Sequence, residues 1–332
     1  MYFPVSSSIV SAQALTVFLQ QQYNLPQGTK TTLVKAGVNH TYKVSIGSED
    51  YIFRIYSLNW RTKTEISGEI RLLNMLKDND ISVSVALKDV SGNYIQEIPA
   101  PEGLRYAALF TIAQGDKVHN FSDEVHHTMG TLMGNMHKVT HNLPLQRVTY
   151  TPELLLEDSL EKIGRIVQPS EELSYLHSIQ QPLLQELRNA DTANLRKGAV
   201  HLDIWFDNIA ITDKGEITIF DFDFCGNGWL CLDLAYYILQ VRNTEKDEAI
   251  CNSKIESFLK GYESVTPLTT EEKRLIPILG TVLHFFYLGV QCSRYENWSS
   301  SFLNELYFKR YIMILVKPYY EKYGGAAKID VI

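Results

Sequence analysis

The spacing of apolar residues changes part-way along the chain. From about residue 31 to 112, apolar positions alternate with polar ones in short runs; beyond about 122 they recur every three or four residues. The alternating runs predict strands over 31–35, 41–46 and 51–56, with turns at Val38-Asn39-His40 and Gly47-Ser48-Glu49-Asp50. Residues 83–89 and 94–98 read as a strand pair around Ser91-Gly92-Asn93, and 104–112 as a fifth strand. Two helices interrupt this β-rich part. One spans about 8–23 and ends at Asn24-Leu25-Pro26-Gln27-Gly28; the other spans 63–77, with a stripe of Ile66, Ile70, Leu73 and Leu76.

Gln114-Gly115-Asp116 breaks the pattern, and helical spacing follows over 122–137, 152–167 and 171–189. The expected division is residues 1–113 as a small, mainly antiparallel-sheet part and 114–332 as a larger, mainly helical part, an α+β chain. Within the second part, Ile209 and Ile211, the turn Asp213-Lys214-Gly215, and Ile217, Ile219 and Phe222 spell a β-hairpin, with a helix expected over 234–240. No charge occurs between Arg274 and Arg294, a length that could span a bilayer; Pro277, Thr281, His284 and Gln291 within it favour a buried helix instead.

Composition narrows the class little. The chain has 332 residues and a net charge of −7, which argues against a nucleic-acid partner. Cys225, Cys231, Cys251 and Cys292 show no Cys-x-x-Cys spacing, so neither a zinc knuckle nor a dithiol redox site is expected. Without a basic, then apolar, leader at residues 1–10, the expectation is a cytoplasmic protein with free thiols and no membrane partner.

The chemistry concentrates around the hairpin. His201-Leu202-Asp203 is followed by Asn208, and Ile219-Phe220-Asp221-Phe222-Asp223 closes the return strand. A hairpin brings Asn208 and Asp221 to one end of a small sheet with Asp203 close by. Oxygen-bearing side chains gathered in this way suit Mg²⁺ and a hydroxyl to be activated, the needs of phosphoryl transfer. Earlier in the chain, alternation puts Arg54 among apolar neighbours Ile52 and Tyr56, while Glu69 lies inside the apolar stripe of its helix. Each wants an opposite charge. The two readings are a structural salt bridge and a phosphate-holding pair.

In these residues the chain resembles the aminoglycoside phosphotransferase/choline kinase-like superfamily, of protein-kinase-like fold, near its type II homoserine kinase and stress-response kinase branches. Leu232-Asp233-Leu234-Ala235 adds to the resemblance. Two departures stand out: Leu202, where those kinases have Gly, and Arg54, where the strand residue is usually Lys. The resemblance implies a bilobal fold, ATP and Mg²⁺ as cofactors, Asp203 as the catalytic carboxylate, and Asn208 and Asp221 as metal ligands. It also implies nucleotide contacts from Gly37, Asn39, Arg54, Glu69, Phe110 and Ile112. Asp223 is left between a second metal contact and a loop brace, Asp207 is expected in solvent, and Asp233 reads first as a helix N-cap. The late aromatics, Tyr236 and Tyr287 among them, read first as core; the alternative that the resemblance implies is that the late helices wall the acceptor site and some of these rings face it. Only nine residues separate Asp223 from Asp233, too few for a peptide-supporting activation segment. The expected reaction is transfer of the ATP γ-phosphate to a hydroxyl of a small molecule: an amino alcohol, or a homoserine-like or aminoglycoside-like acceptor. The alternatives are a stress-response-type Ser/Thr protein kinase and a catalytically silent nucleotide-binding module.

Overall fold

The computed structural model describes residues 3–324. It divides into two compact units. The first comprises residues 1–114 with short returns at 218–220 and 296–298; the second comprises 115–217, 221–295 and the rest of the chain.

The first unit is a six-stranded antiparallel sheet flanked by two helices. Helix α1 (Ala12–Gln22) precedes strands β1 (Lys30–Ala36), β2 (His40–Ile46) and β3 (Glu49–Ile55). Helix α2 (Lys63–Asp78) then leads to β4 (Ala86–Leu87), β5 (Gln96–Ala100) and β6 (Gly103–Thr111). The strand order is β1-β2-β3-β6-β4, with β5 also pairing β6. Leu15 and Leu19 of α1 pack on Tyr42, Val44, Phe53, Ile55 and Leu109 to form the core of this unit. The α2 stripe is buried as its period requires, and a capping box between Thr62 and Glu65 fixes its start.

Two boundaries differ from the sequence reading. Helix α1 begins at Ala12, not Ser8, because the Ser8 hydroxyl bonds Glu102 at 2.6 Å and Ser11 supplies the cap. Segments 83–89 and 94–98 do not pair with each other. Asp89 accepts the backbone N–H groups of Ser91 and Asn93 and closes a local turn, while β5 folds back on β6 through Ala100 and Gly103. A tighter turn further along the chain takes the strand. Pro99, which has no N–H to give, sits on that strand.

The second unit is mainly helical. It contains α3 (Asp123–Thr140), a π-turn at Glu153–Glu157 running into α4 (Asp158–Gly164), and α5 (Glu171–Arg188). Strands β7 (Lys197–Val200), β8 (Ile209–Ile211), β9 (Ile217–Ile219) and β10 (Gly226–Trp229) follow, with β7 paired to β10 and β8 to β9. The chain continues through α6 (Cys231–Thr244), α7 (Glu248–Glu263), α8 (Thr270–Ser293), α9 (Glu305–Arg310) and α10 (Lys317–Tyr319). Helix α8 is long and apolar enough to cross a membrane, but 83% of its most apolar window is buried inside the fold, so its surface serves as core. All four cysteines are buried and free.

Helices α3 and α7 approach most closely where each carries a glycine. A Cβ on Gly130 would lie 2.0 Å from the Phe258 carbonyl oxygen, and one on Gly261 would lie 2.0 Å from that of His127. The contact is backbone against backbone, so no side-chain rotation relieves an added methyl. Gly130→Ala and Gly261→Ala are each expected to destabilise the fold by about 1–3 kcal/mol, the usual cost of overpacking. The check is urea denaturation, and Gly164→Ala, whose Cβ meets nothing within 4 Å, serves as the control.

Candidate active site

The loop from His201 to Asn208 is held from below by a single carboxylate. Asp233, 1% exposed, accepts the backbone N–H of His201 at 2.9 Å and of Leu202 at 2.6 Å, and lies 3.0 Å from His137 Nε2. His137 in turn bonds the Tyr262 hydroxyl through Nδ1 at 2.8 Å. Asp233 is therefore not the N-cap that the sequence suggested. Helix α6 starts two residues earlier, at Cys231, and leaves the carboxylate free to point across to the loop. His201 is buried beneath the loop, where its Nδ1 accepts the Asp203 N–H at 3.1 Å.

This clamp explains the departure at Leu202. The residue has φ 64°, a left-handed backbone that glycine adopts without penalty and leucine does not. Its N–H is fixed by Asp233, its carbonyl accepts the Tyr287 hydroxyl, and its side chain is fully buried.

The Asp203 carboxylate is oriented through both oxygens. Tyr236 donates to Oδ1 at 2.6 Å, with the Tyr287 hydroxyl at 3.5 Å from the same atom, and Asn208 Nδ2 donates to Oδ2 at 2.7 Å. Asn208 Nδ2 also bonds the Asp203 carbonyl at 3.0 Å. Burial pushes the Asp203 pKa up to about 8, against the lowering effect of the Tyr236 hydrogen bond; the charges of Asp221 and Asp223 raise it further. Burial, then the Asp203 charge, holds the Tyr236 phenol well above its usual range, so this hydroxyl remains a donor. Tyr236 lies one turn beyond Asp233 on α6, so one helix both anchors the loop and aims its carboxylate. The sequence placed Tyr236 and Tyr287 among ordinary core aromatics; the signal available was a hydroxyl on an otherwise apolar face.

Asp221 follows β9 with φ 63°, also left-handed. Asp223 is buried at 3% exposure, and Arg147 binds the carbonyls of Asp223 and Cys225, the latter at 2.6 Å. Asp207 is half-buried and pairs with Lys117 at 2.6 Å. Asn208 uses its amide nitrogen on Asp203, and among the described residues its amide oxygen accepts no hydrogen bond although the residue is 6% exposed. Three carboxylates close enough to disturb one another, beside an unspent amide oxygen, fit a bound cation. Among the described residues no three His, Cys, Asp or Glu side chains form a closed metal cage.

In the first unit, Arg54 and Glu69 do meet, at 3.0 Å and largely out of solvent. The Tyr56 hydroxyl bonds the second Glu69 oxygen at 3.0 Å, and the Phe110 ring lies 5.1 Å from the Arg54 guanidinium carbon. Gly37 donates its N–H to the Asn39 carbonyl at 3.1 Å, while Asn39 Oδ1 accepts from Ser57 N at 3.3 Å. Gly37 has no positive φ, and a Cβ there would meet only ordinary contacts, so the protein's own packing does not require a glycine at this position. Ile112 follows the last residue of β6 and is half-buried.

The element order and the loop geometry define a protein-kinase-like fold with small-molecule phosphotransferase architecture. The chain belongs to the phosphotransferase enzyme family, whose model matches residues 30–268. It is an ATP-dependent phosphotransferase with a small-molecule hydroxyl as acceptor. An uncharacterized protein of Synechocystis sp. is 31% identical, over 93% of this chain and 85% of its own length. A homoserine kinase of Chelativorans sp. is 25% identical over 83% and 84% respectively. In fold, the chain matches the amicoumacin kinase hAmiN, solved with AMP-PNP, Ca²⁺ and Ami, with a TM-score of 0.77 at 20% identity over 96% of this chain and 95% of that one.

The Leu202 geometry makes an unusual ordering of variants. Leu202→Ala loses the buried side chain, about 2–5 kcal/mol, and keeps the left-handed strain. Leu202→Gly loses the same contacts but recovers about 1–2 kcal/mol of strain. The glycine variant is expected to be the more stable of the two, the reverse of the usual order, as measured by chemical denaturation of both.

Proposed function

We propose that Asp203 orients the acceptor hydroxyl and takes up its proton as phosphate transfers, while Asn208 and Asp221 hold the Mg²⁺ that accompanies ATP. The observation that carries this reading is the two-sided grip on Asp203. With Oδ1 bonded to Tyr236 and Oδ2 to Asn208, the carboxylate is held from both sides, and Oδ2 keeps a lone pair for an incoming hydroxyl. Bound Mg²⁺ would neutralise charge on the phosphates and offset the effects that raise the Asp203 pKa. Asp223, buried and backed by Arg147, braces the segment behind Asp221.

Arg54, kept straight by Glu69, would hold ATP phosphate oxygens; its planar fork suits that task and cannot lose its charge. Gly37 and Asn39 would shape the loop over the phosphates, and Phe110 and Ile112 would border the nucleotide. The AMP-PNP in the structurally similar amicoumacin kinase supports nucleotide use of this kind. The acceptor is a free small molecule bearing a hydroxyl. Relatives named for homoserine and amicoumacin span acceptors of very different size, so the family alone does not choose among them.

Asp203→Asn keeps the shape and removes the base. It is expected to lower single-turnover phosphoryl transfer by roughly 10²–10⁴ and leave ATP affinity within about twofold. A large loss of nucleotide binding with an intact chemical step would instead make Asp203 a nucleotide or metal holder.

Arg54→Ala and Glu69→Ala should each weaken ATP use. If the pair acts as a unit, a double-mutant cycle on kcat/KM for ATP gives a coupling of about 0.5–3 kcal/mol. Strictly additive losses would reduce the pair to a structural salt bridge.

A further inference from the structure

A cavity of about 290 Å³ opens within the second unit, on the flank of the Asp203 loop. One wall is Trp205 and Phe206, which lie between Asp203 and Asn208 in sequence; their rings are 4.4 Å apart, and His119 packs on Phe206 at 4.6 Å. The opposite wall is α6, including Gln240. Gln240 lies four residues beyond Tyr236, so it shares that residue's face of the helix about 6 Å further along. Tyr236 is the residue that holds Asp203. Trp205 and Phe206 therefore tie the cavity to the loop that carries Asp203.

The polar chemistry of the lining is selective. Its acidic side chain, Glu245, is already spent: Lys254 bonds it at 2.8 Å and Asn120 at 2.6 Å. Among the described residues Lys246 bonds only a backbone carbonyl, at 2.8 Å, and has no acidic partner. Among the described residues neither the Trp205 indole N–H nor the Gln240 amide makes a hydrogen bond. The cavity thus offers aromatic faces, neutral hydrogen-bonding groups and an excess cation. A polycationic ligand would find the lining carboxylate, Glu245, already paired with Lys254, and a compact amino acid would leave the aromatic faces bare.

We propose that this cavity is a subsite for the far end of the acceptor, and that it takes a flat, ring-bearing group, neutral or anionic. Aromatic side chains placed this way contribute contact area at small entropic cost, and the excess cation favours an anionic edge. This deepens the functional reading above and rests on Asp203 receiving the hydroxyl.

The test compares 4-(3-hydroxypropyl)benzoate and 3-phenylpropan-1-ol with homoserine and kanamycin. Binding is measured by calorimetry, and phosphorylation by ADP release, on the intact chain and on Gln240→Trp, which fills the cavity. Wild type should bind the ring-bearing alcohols at least tenfold tighter than homoserine or kanamycin. Gln240→Trp should lose that preference by a similar factor, with the KM for ATP unchanged. Asp203→Asn should still bind the ring-bearing probes while failing to phosphorylate them. If wild type binds these probes no better than homoserine, prefers kanamycin, or is unaffected by filling the cavity, the subsite is overturned. Probe binding that depends on Gln240, with no transfer by wild type to any acceptor, would spare the cavity as a binding site but overturn it as an acceptor subsite. Failure of Mg²⁺-dependent nucleotide binding on the same preparation would mark failure of the phosphotransferase reading itself.

Discussion

One buried carboxylate sets the geometry of the second unit's chemistry. Asp233 is buried, and its carboxylate is satisfied by two backbone N–H groups and a histidine. Charge-assisted hydrogen bonds of this kind are worth about 1.5–3 kcal/mol each, and a missing partner would leave a penalty of similar size. The loop therefore has one energetically acceptable path. That path forces Leu202 into a left-handed backbone, presents the Asp203 carboxylate to Tyr236, and fixes where Asn208 falls. His137 carries the constraint into α3, whose close approach to α7 at Gly130 and Gly261 leaves it little freedom to shift.

Charge is handled differently in the first unit. Arg54 and Glu69 are both withdrawn from solvent, and a buried pair of this sort is seldom a net gain in stability over apolar residues of the same shape. Its surroundings are nonetheless complete. Glu69 is bonded through both oxygens, and the guanidinium rests near an aromatic ring.

What could be read from the sequence was what depends on neighbours in the chain. Strands and helices followed the period of Ile, Leu and Val. The pairing of Arg54 with Glu69 was foreseeable because each stood alone as a charge on an apolar face. The turn at Ser91-Gly92-Asn93 misled, because both it and the turn at Ala100–Gly103 could close a hairpin; which one does so depends on β6, already paired to β3. Asp233 was misread for a related reason. An acidic residue near a helix start is locally indistinguishable from a cap, and its true partners lie about 30 residues earlier. The hydroxyls of Tyr236 and Tyr287 were not singled out as active-site groups because helical spacing reads them first as core, and only the folded chain shows where their oxygens point.

The segment after Asp221 is short and fully engaged. Arg147 holds the Asp223 and Cys225 carbonyls, Tyr150 donates to the Phe224 carbonyl at 2.5 Å, and residues 226–229 are already paired with β7. Kinases that are switched by phosphorylation keep a long, loosely held stretch here, and a new phosphate–arginine contact orders it. A phosphate added between Asp223 and Trp229 would instead meet a segment whose backbone bonds are already made.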